Sequence, residues 1–389
     1  MMVYKNLNRI WVIGLFIFIF SCGKNDDNEV STLISQIKNI HAPDKRVALF
    51  EIQFMNDELI GETNLPEALE QLKDSLAAKQ IVFEDKVGLL PDPSLGGKNL
   101  AIVHLSVANI RSQPKHSAEL ATQATMGTPL KVLKQSDSWY LVQTPDRYIS
   151  WVDAGGITLV DKQEMENWYS SQKAVFTPPY GFVFEEPNEN NRLSDLTAGN
   201  ILQVSEKGDA FHQVMLPDGR VGYVPSSSMV LYDEWIASRT TSPSNLIHTA
   251  RGMMGVPYLW GGTSTKGVDC SGFTKTIFFL NGKIIPRDAS QQIHEGEEVD
   301  TEKNWDNLEI GDLLFFGIPA TKETTERVVH VGMWIGNQSF IHSRGMVRIS
   351  SFDPNSPDFD EYELNRYLRT KRIVGKNSRN IMAVNDIIH

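Results

Sequence analysis

Cysteine is almost missing from this chain: among 389 residues only Cys22 and Cys270 carry a thiol. Two cysteines cannot build a disulfide scaffold. Long apolar runs are scarce as well. The run from Ile10 to Phe20 falls short of the about 20 residues that a bilayer-spanning helix needs. Excess positive charge is absent too, with Lys and Arg together at 37 against 48 Asp and Glu and a net charge of −11. No basic stripe is present to neutralise phosphates, which excludes nucleic acid as the main partner and leaves peptide and glycan substrates open.

What is present begins at the N-terminus. Lys5 and Arg9 precede the apolar run, and Ser21-Cys22-Gly23 follows it, the n-region and h-region layout of a secretory signal. Ile19-Phe20-Ser21-Cys22 resembles the lipobox of bacterial lipoproteins, which implies a signal over residues 1–22, lipid attachment at Cys22 and an exported protein held in the cell envelope, on the periplasmic side or the cell surface. An ordinary signal peptide or a short membrane anchor is the alternative. With Cys22 lipidated, Cys270 has no partner within the chain and stays a free thiol. Lys24-Asn25-Asp26-Asp27-Asn28-Glu29 reads as a flexible tether.

At 41% hydrophobic and 22% charged residues the chain is globular, and it is longer than one core usually serves. The expected fold class is multidomain, mostly β plus α+β. A shift of 72 residues pairs Gly127 with Gly199, Leu130 with Leu202, Val142 with Val214, Asp146 with Asp218 and Val152 with Val224, and matches Trp139 to Phe211 and Trp151 to Tyr223. Two copies of one small module are predicted, over residues 99–162 and 163–240. Each reads as short alternating strands joined by turns such as Pro217-Asp218-Gly219, a small all-β barrel. Residues 107–114 and the Trp139 to Trp151 spacing resemble the bacterial SH3-like domains that accompany cell-wall hydrolases. Ahead of the repeats, residues 23–98 hold a helix-period stripe of Leu65, Leu69, Leu72 and Leu76 and a strand from Val47 to Phe54. This small α/β region carries no evident chemistry.

Residues 241–389 differ in pattern. A helix from Asn245 to Met254 and a Gly-containing loop lead to Asp269-Cys270-Ser271-Gly272, which opens an apolar run from Phe273 to Leu280. A cysteine at the start of a helix meets unpaired N–H groups and the positive end of the helix dipole, which favour thiolate and can hold an oxyanion. A base is then needed. The alternation of Val329, Val331, Met333 and Ile335 sends His330 to the opposite face of a strand, towards a helix N-terminus. His342, in the next strand, stands ready to orient its ring. The bland alternatives are a cysteine acting as a small core hydrophobe and two satisfied core histidines. A zinc site is the other alternative, but the spacing fits no common structural class, and neither metal nor cofactor is expected.

Tyr258-x-Trp260-Gly261-Gly262, Asp269-Cys270-Ser271-Gly272-Phe273, Pro286-Arg287-Asp288-Ala289, Gly311-Asp312-Leu313, His330-Val331-Gly332 and Ile341-His342-Ser343 resemble, in order, the NlpC family of papain-like peptidoglycan peptidases. The resemblance implies an α+β peptidase domain in which Cys270 attacks an amide carbonyl, His330 carries the proton and His342 holds the tautomer. Tyr258 and the Cys270 amide would bind the oxyanion, with Trp260, Asp269 and Ser271 in the cleft. Two SH3-like modules ahead of such a domain resemble γ-D-glutamyl-L-diamino acid endopeptidases, in which an aspartate, here Asp288, binds the α-ammonium of a murein tripeptide or tetrapeptide with free N-terminal L-Ala. Arg287 neighbours it. Ala289 stands where the family often has Ser. Glu119 and Tyr148 are the expected contribution of the first module. Alternative readings are an endopeptidase of intact wall, the modules binding glycan, or a non-catalytic wall-binding lipoprotein. A monomer is expected.

Overall fold

Gly127 and Gly199 hold φ of +85° and +86°, a backbone region that other residues rarely adopt, and each opens the same turn in one of two matching units. The structure, a computed structural model, describes residues 24–376 and 378–388; the leader and Cys22 lie outside them. In the first unit the repeat comprises Pro129–Ser136, Trp139–Gln143, Ile149–Asp153, the turn Ala154–Gly156 and Ile157–Val160. In the second it comprises Ile201–Glu206, Phe211–Met215, Val221–Pro225, Ser226–Ser228 and Met229–Leu231. Every element starts 72 positions after its counterpart.

Both units form seven-stranded sheets of one strand order. The first runs Ile157–Val160, Leu100–Val103, Pro129–Ser136, Trp139–Gln143, Ile149–Asp153, Val107–Arg111, Leu120–Thr125. Small apolar side chains such as Ala101, Ile110, Val132 and Val142 fill its core. The expected barrels are not closed: in each sheet the two outer strands pair on one side only among the described residues. The edge strand Leu120–Thr125 is covered instead by the C-terminal unit, where the Thr263 N–H donates to Gln123 Oε1 at 2.9 Å. Covering an edge with another part of the chain satisfies its polar groups and prevents stray pairing.

The N-terminal unit sets the helices Lys24–His41 and Pro66–Ala78 against a three-stranded sheet of Phe50–Met55, Glu58–Thr63 and Glu84–Leu89. Leu69, Leu72 and Leu76 are buried as their spacing predicts, and Leu65 caps the helix. The expected tether is a correction: Lys24 to Glu29 begin the first helix, because Val30, Ile34 and Ile37 just beyond pack into the same core as Leu69 and Leu72.

In the C-terminal unit the helix Cys270–Leu280 packs through Phe273 and Ile277 against a six-stranded antiparallel sheet that supplies Leu313, Phe315, Val331, Met333 and Ile341. The sheet order is Glu297–Asp300, Tyr367–Arg372, Leu313–Ile318, Arg327–Gly336, Ser339–Arg344, Met346–Ser351. The predicted alternation fails at one end. A bulge opposite Phe316 and Gly317 puts Val328, and not Val329, against the core. The face that meets the helix is that of Val331 and Met333. His330 turns to the other side, its ring beside that of Phe316, and His342 lies beside Phe340.

Candidate active site

Asp269 makes the first residue of the helix what it is. Its Oδ1 accepts the Gly272 N–H at 2.7 Å, an N-cap that fixes the helix start one residue later, at Cys270. The same oxygen pair accepts from Arg287 Nη2 at 2.5 Å, Arg287 Nη1 at 3.1 Å and the Gly261 N–H at 2.9 Å. Arg287 Nη1 also donates to Ser271 Oγ at 2.9 Å. Asp269, Ser271 and Arg287 therefore form a buried clamp that ties the Trp260–Gly261 loop to the helix start. Burying such a pair is tolerated because each charge is multiply hydrogen-bonded. The closeness is absolute at Gly272, where a Cβ would stand 1.9 Å from the Gly262 oxygen.

The Val331 and Ser271 N–H groups lie beside the Cys270 sulfur and favour its thiolate. The ladder between the strands Arg327–Gly336 and Ser339–Arg344 runs from Gly336 and Ser339 only to Met333 and Ile341, so the Val331 amide lies past its end and is available to sulfur. Burial, and after it the charge of Asp269, pushes the thiol pKa up, while the Val331 N–H pulls it down. Sequence position suggests a thiolate; burial overrides the helix start, and Cys270 rests as a thiol. Burial first, then the Arg366 and Arg344 charges, holds the His330 imidazole well below the ordinary histidine range, so it rests neutral. His342 is held low by burial and then by His330.

His330 Nε2 lies 2.7 Å from His342 Nδ1, and His342 Nε2 lies 3.0 Å from Ser350 Oγ. The Glu363 carboxylate is 3.9 Å from His330 Nε2. His330, His342 and Glu363 present donor atoms within 4.8 Å of one another, close enough to suggest a metal. Glu363 is already spent, however, on Arg366 Nη2 at 2.7 and 2.9 Å and on Arg344 at 3.3 Å. Two guanidinium groups at that carboxylate oppose a further cation.

Tyr258 is held by its backbone, its N–H donating to the Gly345 oxygen at 2.9 Å. Burial, followed by Cys270 and Asp269, pushes its phenol pKa up, so it stays a proton donor. Trp260 is 60% exposed and donates from Nε1 to Glu119 Oε1 at 2.7 Å, a contact between the C-terminal unit and the first β unit. Gly261 lets the two approach: a Cβ there would meet the Leu120 oxygen at 2.2 Å. Tyr148, also from the first β unit, donates to Asp288 Oδ2 at 3.3 Å, and its phenol too is kept protonated, by burial and then Asp288. A cleft of about 490 Å³ is lined by Cys270, Trp260, Asp288, Glu119 and Tyr148 together.

The same cleft is lined by Arg46, from the region expected to carry no chemistry. Arg46 Nη1 donates to Asp288 Oδ2 at 2.7 Å and to Ser290 Oγ at 3.0 Å. Asp44 grips the rest of the guanidinium, at Nε and Nη2, both at 2.8 Å, and is itself held by Gln291 Nε2 at 2.8 Å. Arg46 and Asp288 are 242 positions apart and share no motif, so only the fold reveals the contact. Ser350 and Asp360 were equally silent in the sequence.

Residues 255–364 match the model of the NlpC/P60 family, and residues 106–158 match that of the bacterial SH3 domain. The chain is 31% identical over 261 residues to the gamma-D-glutamyl-L-lysine dipeptidyl-peptidase of Bacillus cereus, covering 64% of this chain and 76% of that protein. It is 28% identical to dipeptidyl-peptidase 6 of Lysinibacillus sphaericus, covering 66% and 93% of the two chains. Among solved structures, an NlpC/P60 family protein from Bacillus cereus superposes with a TM-score of 0.61 at 25% identity, over 71% of this chain and 99% of that one.

Proposed function

Because the chain belongs to the NlpC/P60 family and is a cysteine peptidase, we propose that it is a cell-wall peptide hydrolase cutting the amide bond between γ-D-Glu and an L-diamino acid in murein peptides with a free N-terminal L-Ala. The observation that carries this reading is the composition of the cleft: the thiol of Cys270 shares it with the carboxylates of Asp288 and Glu119. Asp269 also lines the cleft but is spent on Arg287, and the two remaining carboxylates beside one nucleophile fit a substrate that ends in an ammonium group a fixed distance from the bond to be cut. The name of the relative from Bacillus cereus points the same way.

In this mechanism the Cys270 thiol proton passes to His330 Nδ1 as sulfur attacks the γ-carbonyl carbon. The Tyr258 phenol and the Cys270 N–H take the oxyanion. Collapse expels the diamino acid, whose amine takes the proton back from His330. Water, deprotonated by the same imidazole, then hydrolyses the thioester and restores the thiol. His342 keeps His330 oriented, and Trp260 walls the cleft. Arg46 binds Asp288 through Oδ2 and so fixes the carboxylate while neutralising part of its charge; Glu119, held by Trp260 and paired with no cation among the described residues, supports the ammonium. Lipid attachment at Cys22 and placement in the cell envelope belong to the same proposal.

The test is mass spectrometry of L-Ala-γ-D-Glu-L-Lys and of its N-acetylated twin after incubation with the lipid-free protein, with Cys270→Ala as control. Release of Lys from the free-amine peptide alone is expected. Equal cleavage of both would discard ammonium recognition by Asp288 and Glu119, and cleavage of neither would discard this substrate class.

A further inference from the structure

Behind His342 the hydrogen-bond chain continues through two residues outside the triad. Ser350 Oγ donates to Asp360 Oδ2 at 3.0 Å. Asp360 is fixed in turn: Oδ2 takes Arg344 Nη2 at 2.6 Å, and Oδ1 takes the Glu363 N–H at 3.1 Å, capping the helix Glu361–Asn365. Ser350 is fully buried and Asp360 is 5% exposed, so water does not compete for these bonds.

We propose that Ser350 and Asp360 are positioning residues that set the tautomers of both histidines and thereby leave His330 Nδ1 free to act as the base. The inference rests on the reading of Cys270 and His330 as nucleophile and base. A carboxylate tied to a guanidinium can only accept, so the Ser350 hydroxyl must give it its proton. Ser350 Oγ then has only lone pairs to offer, and His342 must present Nε2–H to it. A neutral imidazole has a single N–H, so His342 Nδ1 is bare and must accept from His330 Nε2–H. His330 in turn has its one proton on Nε2, and Nδ1 keeps its lone pair.

The direction of the chain matters for the reaction. When the thiol proton arrives at Nδ1, His330 becomes an imidazolium that still donates from Nε2 to the bare His342 Nδ1, and no other proton needs to move. If the chain were reversed, His342 Nδ1–H would point at His330 Nε2, the His330 proton would sit on Nδ1, and the ring would have no lone pair for the thiol. Asp360 decides between the two because it forbids Ser350 from donating to His342.

The experiment is the rate of Cys270 alkylation by iodoacetamide at pH 7 in the whole protein, together with ¹⁵N shifts of the His330 and His342 rings, for wild type, Ser350→Ala and Ser350→Thr. Alkylation needs no peptide, so its outcome is independent of the substrate reading. Ser350→Ala is expected to slow alkylation roughly tenfold to a hundredfold, the range by which partners that fix a histidine tautomer act, and to give His330 Nδ1 partial N–H character. Ser350→Thr, which keeps the hydroxyl, is expected to restore both. The proposal is overturned if Ser350→Ala reacts at the wild-type rate with Nδ1 still unprotonated, or if folded Ser350→Thr is as slow as Ser350→Ala, since the hydroxyl would then not be the cause.

Discussion

Asp288 receives a guanidinium from Arg46 and a phenol from Tyr148 on one oxygen, yet it is also the group expected to meet a substrate ammonium. A charged hydrogen bond of this kind contributes about 1.5–3 kcal/mol. Asp288→Asn is therefore expected to lower kcat/KM for L-Ala-γ-D-Glu-L-Lys by about tenfold to a hundredfold and to erase the preference over the N-acetylated peptide, as parallel assays of the two would read. Legibility at this scale divided along clear lines. Cys270, His330, His342 and Asp288 could be singled out as candidates because each sits in a local motif. The direction of the Cys270 pKa could not, since a motif carries the helix start but not the burial that outweighs it. Arg46 was hidden for another reason: its partner is brought to it by the docking of whole units.

At the level of elements, the decisive joint is the one between the first β unit and the C-terminal unit. Lys275, on the helix Cys270–Leu280, reaches across to buried Asp146 at 2.6 Å, and Gly261 presses against the Leu120 backbone. Removing one member of a buried pair leaves the other charge uncompensated at a cost of about 3–5 kcal/mol. Lys275→Met is accordingly expected to lower the urea midpoint of unfolding and to open the joint to limited proteolysis; an unchanged midpoint would show that the pair contributes little. Gly261→Ala puts a methyl group on the Leu120 oxygen and is expected to cut kcat/KM by more than about tenfold while Cys270 still alkylates, because the wall carrying Glu119 is displaced and the nucleophile is not. The repeated strands were legible because the 72-residue shift preserves both apolar alternation and the turn glycines. The end of the strand holding His330 was not, since a bulge leaves no mark in an alternating run and reverses which of Val328 and Val329 is buried.

For the molecule as a whole, two buried neutral histidines couple folding to pH. Burial depresses the pKa of His330 and His342 in the fold, so below the ordinary value near 6.5 the unfolded chain binds protons that the folded chain refuses. Stability is expected to be level above that pH and to fall below it, by about 1 kcal/mol per pH unit for each histidine. Thermal midpoints at pH 7.5, 6.0 and 5.0 check this, and a midpoint that held steady to pH 5.0 would mean that the pair is charged in the fold. The sheets and helices were foreseeable as a mostly β, multidomain chain, but their docking was not, because no single stretch of sequence encodes a surface shared by three units. That docking separates two inheritances. Cys270 and His330 come from the C-terminal unit, while Glu119, which lines the same cleft, and Tyr148 and Arg46, which bond Asp288, come from modules ahead of it. Under the proposed function, exchange or drift in those modules would change which chain ends are accepted while the surroundings of Cys270 are passed on intact, so that selectivity and chemistry would evolve along separate lines in one polypeptide.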